Sequence, residues 1–179
     1  MAHADTSHVI RTSLWIRPKG EAFDRIRHAI RRAHHHDGGL PVDPHVTLLS
    51  SCRVVENDAR AKLRGLAERV RPFTIRLGRI EGTADYYRAL YAVVEPSAEL
   101  TEARRIACET FEMTPLPFSP HLSLLYGNFG EARREALVGV LGGWLGVSFT
   151  ASAVDLVSAA RDVPIADWRT LYEHPLVEK

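Results

Sequence analysis

Two histidines in this 179-residue chain, His45 and His121, sit in almost the same ten-residue phrase, LPVDPHVTLL at residues 40–49 and LPFSPHLSLL at residues 116–125. Each is followed two positions later by a hydroxyl, Thr47 in the first phrase and Ser123 in the second. Apolar residues fill the places between, so an extended strand turns His45 and Thr47 to one face and Val46 and Leu48 to the other. His121 and Ser123 share a face in the same way. Pro44 and Pro120 push Asp43 and Ser119 into extended geometry, and a proline is tolerated where a strand begins. An imidazole with an ordinary pKa of about 6.5 is present in both protonation states near neutrality, so a facing pair can supply one base and one acid. That pairing suits hydrolysis of a cyclic phosphodiester. One ring activates water for in-line attack at phosphorus, the opposite ring protonates the departing ribose oxygen, and the two hydroxyls hold the non-bridging oxygens. Such chemistry needs no metal and no cofactor, and the sequence leaves open which ring is the base.

Convergence of the two faces requires elements that repeat, and they do. The histidines lie 76 positions apart, at 45 and 121, and the same offset sets PFTIRLGRIE from Pro72 on SFTASAVDLV from Ser148 without a gap. It also sets SLWIRP at 13–18 on ALYAVV at 89–94, placing Trp15 opposite Tyr91. Two such copies fill most of the chain, as an internal duplication would. Each copy reads as strand, helix, histidine strand, helix, strand. The first helix, EAFDRIRHAIRRA, carries Phe23, Ile26, Ile30 and Ala33 at helical spacing, and its counterpart starts after Ser97, a good N-cap, with Leu100, Ala103, Ala107 and Phe111. The second helices carry Leu63, Leu66 and Val70 in one copy and Ala136, Leu137, Val140 and Leu141 in the other. A last segment, WRTLYEHPL, is expected to add an edge strand, with Pro175 near its end. The expectation is an α+β fold in one domain spanning residues 1–179. Two pseudo-symmetric lobes, about 8–84 and 85–160, would be built as duplicated β-α-β-α-β units facing each other about an approximate twofold, with antiparallel sheets lining a central cleft and helices outside.

The two H-Φ-[ST]-Φ motifs, HVTLL and HLSLLYG, resemble the signature of the two-histidine (2H) phosphoesterases. SLWIRP and PHLSLLYG are similar to the first strand and second motif of the cyclic phosphodiesterase branch known from plants and fungi, and the likeness runs from about Ser13 to Tyr172. This resemblance implies a bilobal fold with a water-filled cleft. It implies hydrolysis of ADP-ribose 1″,2″-cyclic phosphate to ADP-ribose 1″-phosphate and of nucleoside 2′,3′-cyclic phosphates to 2′-phosphates. It makes His45 and His121 the acid/base pair and Thr47 and Ser123 the phosphate anchors. Trp15 and Tyr126 match aromatic positions of that family's pocket, and Tyr86 or Tyr87 falls where relatives carry cleft aromatics. The related RNA 2′,3′-cyclic phosphodiesterases of bacteria and archaea usually lack the tryptophan of SLW and the tyrosine after the second motif, so a small nucleotide is favoured over an RNA end. A binder of cyclic or ADP-ribose phosphates without turnover is the reading from another class. It has no need of two titrating groups.

Composition narrows the field further. With 23 Lys+Arg against 22 Asp+Glu the net charge is +1, so no global field draws the chain to RNA or a membrane, and anion binding must be local. No segment approaches the length of apolar residues a membrane span needs, and the N-terminal stretch has no signal-peptide core, so a cytoplasmic monomer acting on a small cyclic phosphate is expected. Cys52 and Cys108 are too few for a disulfide framework and do not obviously match the cysteines of plant relatives. His34, His35 and His36 are adjacent and lack a counterpart in the second copy, so they read as a solvated loop and not as a metal site. His28, in an amphipathic helix, reads as surface or boundary. Arg17 and Arg88 are either solvated or available to a second phosphate.

Overall fold

The computed structural model describes residues 8–159 and 163–178. Most of the N-terminal stretch considered for a signal peptide, residues 1–7, lies outside that range. Within it nine strands and four helices alternate: β1 (Val9–Ile16), α1 (Gly20–Asp37), β2 (Leu40–Pro41), β3 (Val46–Val55), α2 (Glu56–Ala67), β4 (Phe73–Glu81), β5 (Leu90–Val94), α3 (Ala98–Thr110), β6 (His121–Tyr126), α4 (Glu131–Val140), β7 (Trp144–Ala151), β8 (Ala153–Ser158) and β9 (Arg169–Pro175). The expected amphipathic helices form where their apolar spacing lies. Ile26, Ile30 and Ala33 are buried on α1, and Leu100, Ala103 and Ala107 on α3, which begins with the Ser97 hydroxyl accepting the Leu100 N–H. α4 differs: its buried residue is Leu137, while Ala136 lies exposed.

All strand pairs are antiparallel, in the order β7-β4-β5-β6-β3-β1-β8-β9, with the two-residue β2 added to β6. The halves of this sheet meet edge to edge through one residue pair, Val46 with Leu122, and do not pack face to face. Nor do they coincide with the sequence units 8–84 and 85–160. One half, β3-β1-β8-β9, takes β8 from the second unit; the other, β7-β4-β5-β6, takes β4 from the first. The stretch that reads as one closing strand in the second unit is two, broken at Ser152, with β7 beside β4 and β8 beside β1. The helices are exchanged as well: α1 packs on β6 and β7, while α3 packs on β3 and β4. The reason is local. β4 and β5 are joined by a short connection, so their antiparallel pairing costs little loop entropy even though it crosses the boundary between units.

β9 is the expected edge strand, with Pro175 at its last position. The helices cover the convex face, and one continuous apolar core runs beneath them from Leu14 to Leu176. A second, smaller cluster of Trp15, Val157 and Ala159, with Trp168 against it, lies apart from that core. Among the described residues no helix is long and apolar enough to cross a membrane.

Leu124 is fully buried and Leu116 is 66% exposed. Leu124→Ala should therefore cost about 2–5 kcal/mol in chemical denaturation, against under about 0.5 kcal/mol for Leu116→Ala. Equal effects would show that the sheet is not packed as described.

Candidate active site

The site is built where β3 and β6 meet. His45 and His121 lead into the two strands, and each ring is fixed by its own backbone. His45 Nδ1 lies 2.7 Å from the Asp43 carbonyl oxygen, and His121 Nδ1 lies 3.0 Å from the Ser119 carbonyl oxygen. A carbonyl only accepts, so each Nδ1 carries its hydrogen and donates it, leaving Nε2 as the free ring nitrogen. The proline between each pair holds the residue before it extended. Asp43 and Ser119 occupy equivalent places in the repeat, so the same local device orients both rings.

Beyond the histidines the register slips identically in both strands. Trp15 pairs with Thr47 but Leu14 with Leu49, leaving Leu48 as an extra residue on β3; Tyr91 pairs with Ser123 but Leu90 with Leu125, leaving Leu124 extra on β6. Each slip is a β-bulge, which reverses the alternation of faces. Both leucines of each LL doublet turn to the core, and the next residues, Ser50 and Tyr126, return to the face of the histidines. Strict alternation from His121 puts Tyr126 on the apolar face. The bulge is why it lines the cleft.

The resulting cavity, about 190 Å³, brings together His45, Thr47, His121, Ser123, Trp15, Tyr87 and Tyr126. It also includes Ser13, Ser50, Ser51, Arg88, Ala159 and Trp168. Tyr86 lies at its margin, 5.1 Å from the Tyr87 ring. Larger concavities elsewhere, such as that between α2 and β9, lack this concentration of histidines and hydroxyls. Ser13, Ser50, Ser51 and Ala159 are site residues the sequence reading did not single out, and Trp168 is the aromatic of the site that it did not single out. Only its place in WRTLY, at the start of a strand expected at the edge, was visible.

The two histidines are backed by different aromatics at the equivalent positions 15 and 91. Trp15 stacks flat on His45, with ring centroids 3.6 Å apart and planes inclined by 11°, whereas Tyr91 meets His121 edge-on at 5.3 Å. A guanidinium lies behind each aromatic, Arg17 at 5.2 Å from the Trp15 ring and Arg88 at 4.7 Å from the Tyr91 ring. Arg17 is partly exposed but not a free charge: it pairs with the buried Asp155 at 3.0 Å and donates to Thr170 Oγ1. Arg88 donates to Ser119 Oγ at 3.3 Å, on the residue whose carbonyl holds His121.

Burial under Trp15 holds His45 far below its ordinary range, down to about 3; it outweighs the hydrogen bond to Asp43, which favours the charged form, and Arg17 and His121 add smaller downward contributions. Burial lowers His121 too, with Arg88 adding to the effect against the Ser119 hydrogen bond. Both rings are therefore biased toward the neutral form, and a proton on either disfavours a second on the other. Burial raises Tyr126 to about 12, so it remains a phenol. Ser123 Oγ donates to the Tyr87 carbonyl at 3.1 Å. That hydroxyl must rotate before it can donate to a phosphate oxygen.

His34, His35 and His36 form the last turn of α1, not a loop, ahead of Gly38 at φ 72°. Imidazoles suit the negative end of the helix dipole, and the His34 ring reaches the Gly39 carbonyl. Among the described residues no three His, Cys, Asp or Glu side chains are grouped to hold a metal ion. Cys52 and Cys108 are buried free thiols, and desolvation raises Cys52 to about 12, so it is a poor nucleophile.

Residues 15–163 match the 2'-5' RNA ligase superfamily. A cyclic phosphodiesterase from Arabidopsis thaliana is 23% identical over 124 residues, covering 69% of this chain and 68% of the relative. The crystal structure of E. coli LigT complexed with 3'-AMP superposes with a TM-score of 0.67 at 20% identity, over 96% of this chain and all of that one. TT0787 of Thermus thermophilus gives 0.65 at 21% identity, over 93% of this chain and 98% of that one.

The depressed His45 has a consequence for stability. Between pH 6.5 and about 3 the unfolded chain binds the proton that the folded His45 refuses, so folding stability should fall as pH drops through this window. Denaturation of the wild type and His45→Gln at about pH 7 and about pH 5 checks this: the variant should lose less stability on acidification. Equal losses would show that His45 is protonated in the native cleft.

Proposed function

Since the chain belongs to the 2'-5' RNA ligase superfamily, we propose that its cleft hydrolyses ribose cyclic phosphodiesters by paired-histidine acid/base catalysis without a metal or cofactor. The substrates in view are nucleoside 2′,3′-cyclic phosphates, opened to 2′-phosphates, and ADP-ribose 1″,2″-cyclic phosphate, opened to the 1″-phosphate. The family and the cyclic phosphodiesterase relative support phosphoester hydrolysis in general. One observation carries the finer reading: two rings held through Nδ1 by equivalent backbone carbonyls leave two Nε2 atoms for a single cavity.

The reaction follows from that arrangement. One neutral Nε2 takes a proton from water as its oxygen bonds to phosphorus; the bond from phosphorus to the leaving ribose oxygen breaks, and that oxygen takes a proton from the other ring's Nε2–H. The bound phosphodiester supplies the negative charge that stabilises one imidazolium, and repulsion between the rings opposes a second. Thr47, and Ser123 once it rotates away from the Tyr87 carbonyl, donate to the non-bridging oxygens. After turnover the base holds the proton and the acid lacks one, so exchange with solvent restores the pair.

Incubation with 2′,3′-cyclic AMP in excess EDTA should yield 2′-AMP at the rate seen without chelator. Loss of turnover that added metal restores would replace this mechanism with a metal-dependent one, and binding without product would make the protein a binder. Faster turnover of an RNA 2′,3′-cyclic end than of the mononucleotide would move the substrate assignment to RNA. His45→Ala and His121→Ala should each lower kcat by at least about a hundredfold, and the pH profile should be bell-shaped. A loss of only about half from either change is incompatible with an acid/base pair.

A further inference from the structure

The phosphate chemistry accounts for the histidines and hydroxyls of the cleft, and the Trp15 ring is committed to His45. It leaves Trp168 without a role. This residue lies beyond the segment matched by the superfamily, residues 15–163. It follows a short 3-10 turn, Ile165–Asp167, at the start of β9. Its indole N–H is tied to the Val163 carbonyl at 3.1 Å, which fixes the ring and leaves its faces for contact. Three aromatics surround it: Trp15 at 5.8 Å and Tyr126 at 6.2 Å, both edge-on, and Tyr87 at 6.3 Å with planes only 18° apart.

Trp15 and Tyr126 are each only 4% exposed, spent on packing. Trp168 and Tyr87 are the half-buried members of the wall, and their near-parallel rings keep surface toward the cavity. A phosphate has no apolar surface to cover them. A flat π-system does, and stacking of a nucleobase on an aromatic side chain contributes about 1–3 kcal/mol regardless of base identity. The cavity that holds this wall also holds both histidines, so a flat group and a reacting phosphate that lie close together in one molecule can engage both at once. In a nucleoside 2′,3′-cyclic phosphate the base is attached to the ribose that carries the cyclic phosphate. In ADP-ribose 1″,2″-cyclic phosphate that ribose has no base, and the adenine lies beyond a pyrophosphate.

We propose that Trp168, with Tyr87, is a base-stacking platform that makes nucleoside 2′,3′-cyclic phosphates the preferred substrates over cyclic phosphates whose reacting ribose is baseless. The proposal rests on the hydrolytic reading above and adds specificity to it. Trp168 determines which substrate is held; it takes no part in proton transfer.

The test compares wild type, Trp168→Ala and Trp168→Phe on 2′,3′-cyclic AMP and on methyl ribofuranoside 2,3-cyclic phosphate, which has the same reacting ring and no base. Wild type should favour the nucleotide by about tenfold or more in kcat/KM, and ADP-ribose 1″,2″-cyclic phosphate should fall with the baseless compound. Trp168→Ala should remove about tenfold from the nucleotide, mainly through KM, and less than about threefold from the baseless substrate, while Trp168→Phe should keep most of the preference. Equal losses on both substrates would make Trp168 merely structural and overturn the proposal, as would a wild type that does not prefer the base. Should wild type hydrolyse neither compound, the hydrolytic reading fails, and calorimetric titration with 2′-AMP and with ribose 2-phosphate decides the platform separately. Tighter binding of 2′-AMP, lost in Trp168→Ala, upholds it. Equal binding overturns it.

Discussion

The site depends first on a hydrogen bond between each cleft imidazole and the carbonyl two residues before it. His45 reaches the Asp43 carbonyl and His121 the Ser119 carbonyl, each across a proline that keeps the preceding residue extended. With Nδ1 occupied as a donor, the tautomer and the ring direction are set together, and Nε2 is left as the free ring nitrogen. A proline is well suited to the intervening position because it offers no N–H of its own to compete for a carbonyl. The arrangement is complete within three residues. It could therefore be duplicated intact, and the rest of the fold has only to bring the copies together.

Bringing them together is the work of an intertwined sheet. Because β4 and β8 each pair with the opening strand of the other unit, neither unit forms a half of the sheet without the other. The junction between halves is only the Val46–Leu122 pair. Such a narrow seam would be a weak hinge if the halves were independent bodies. The exchanged strands and helices tie it from both sides, and the single core beneath the helices runs through both halves. The paired bulges at Leu48 and Leu124 belong to the same design: each sends two successive leucines into the core and returns the strand to the cleft one residue later.

Near-symmetry of backbone coexists with asymmetry of environment. Position 15 is tryptophan and position 91 is tyrosine, so His45 lies under a flat indole while His121 meets a ring edge and keeps more contact with solvent. Burial consequently lowers His45 further than His121 can be lowered from its half-open position. Two equivalent rings in equivalent surroundings would compete equally for one proton. Different surroundings separate their affinities for that proton.

The sequence by itself determined the repeat, the two histidines and their hydroxyls, the helices with regular apolar spacing, the Ser97 cap and the edge strand ending at Pro175. These are local features, written in periodicity and in residues with narrow backbone preferences. It did not determine which strands pair. SFTASAVDLV reads as one closing strand because nothing in a run of β-favouring residues records that Ser152 carries the chain from one half of the sheet to the other. Nor could alternation place Tyr126, since a bulge appears only when the partner strand is known; or Trp168, whose cleft position depends on β9 lying beside β8. Pairing, register and the convergence of distant side chains are long-range choices, decided by which arrangement buries the common core. Tertiary structure alone settled them.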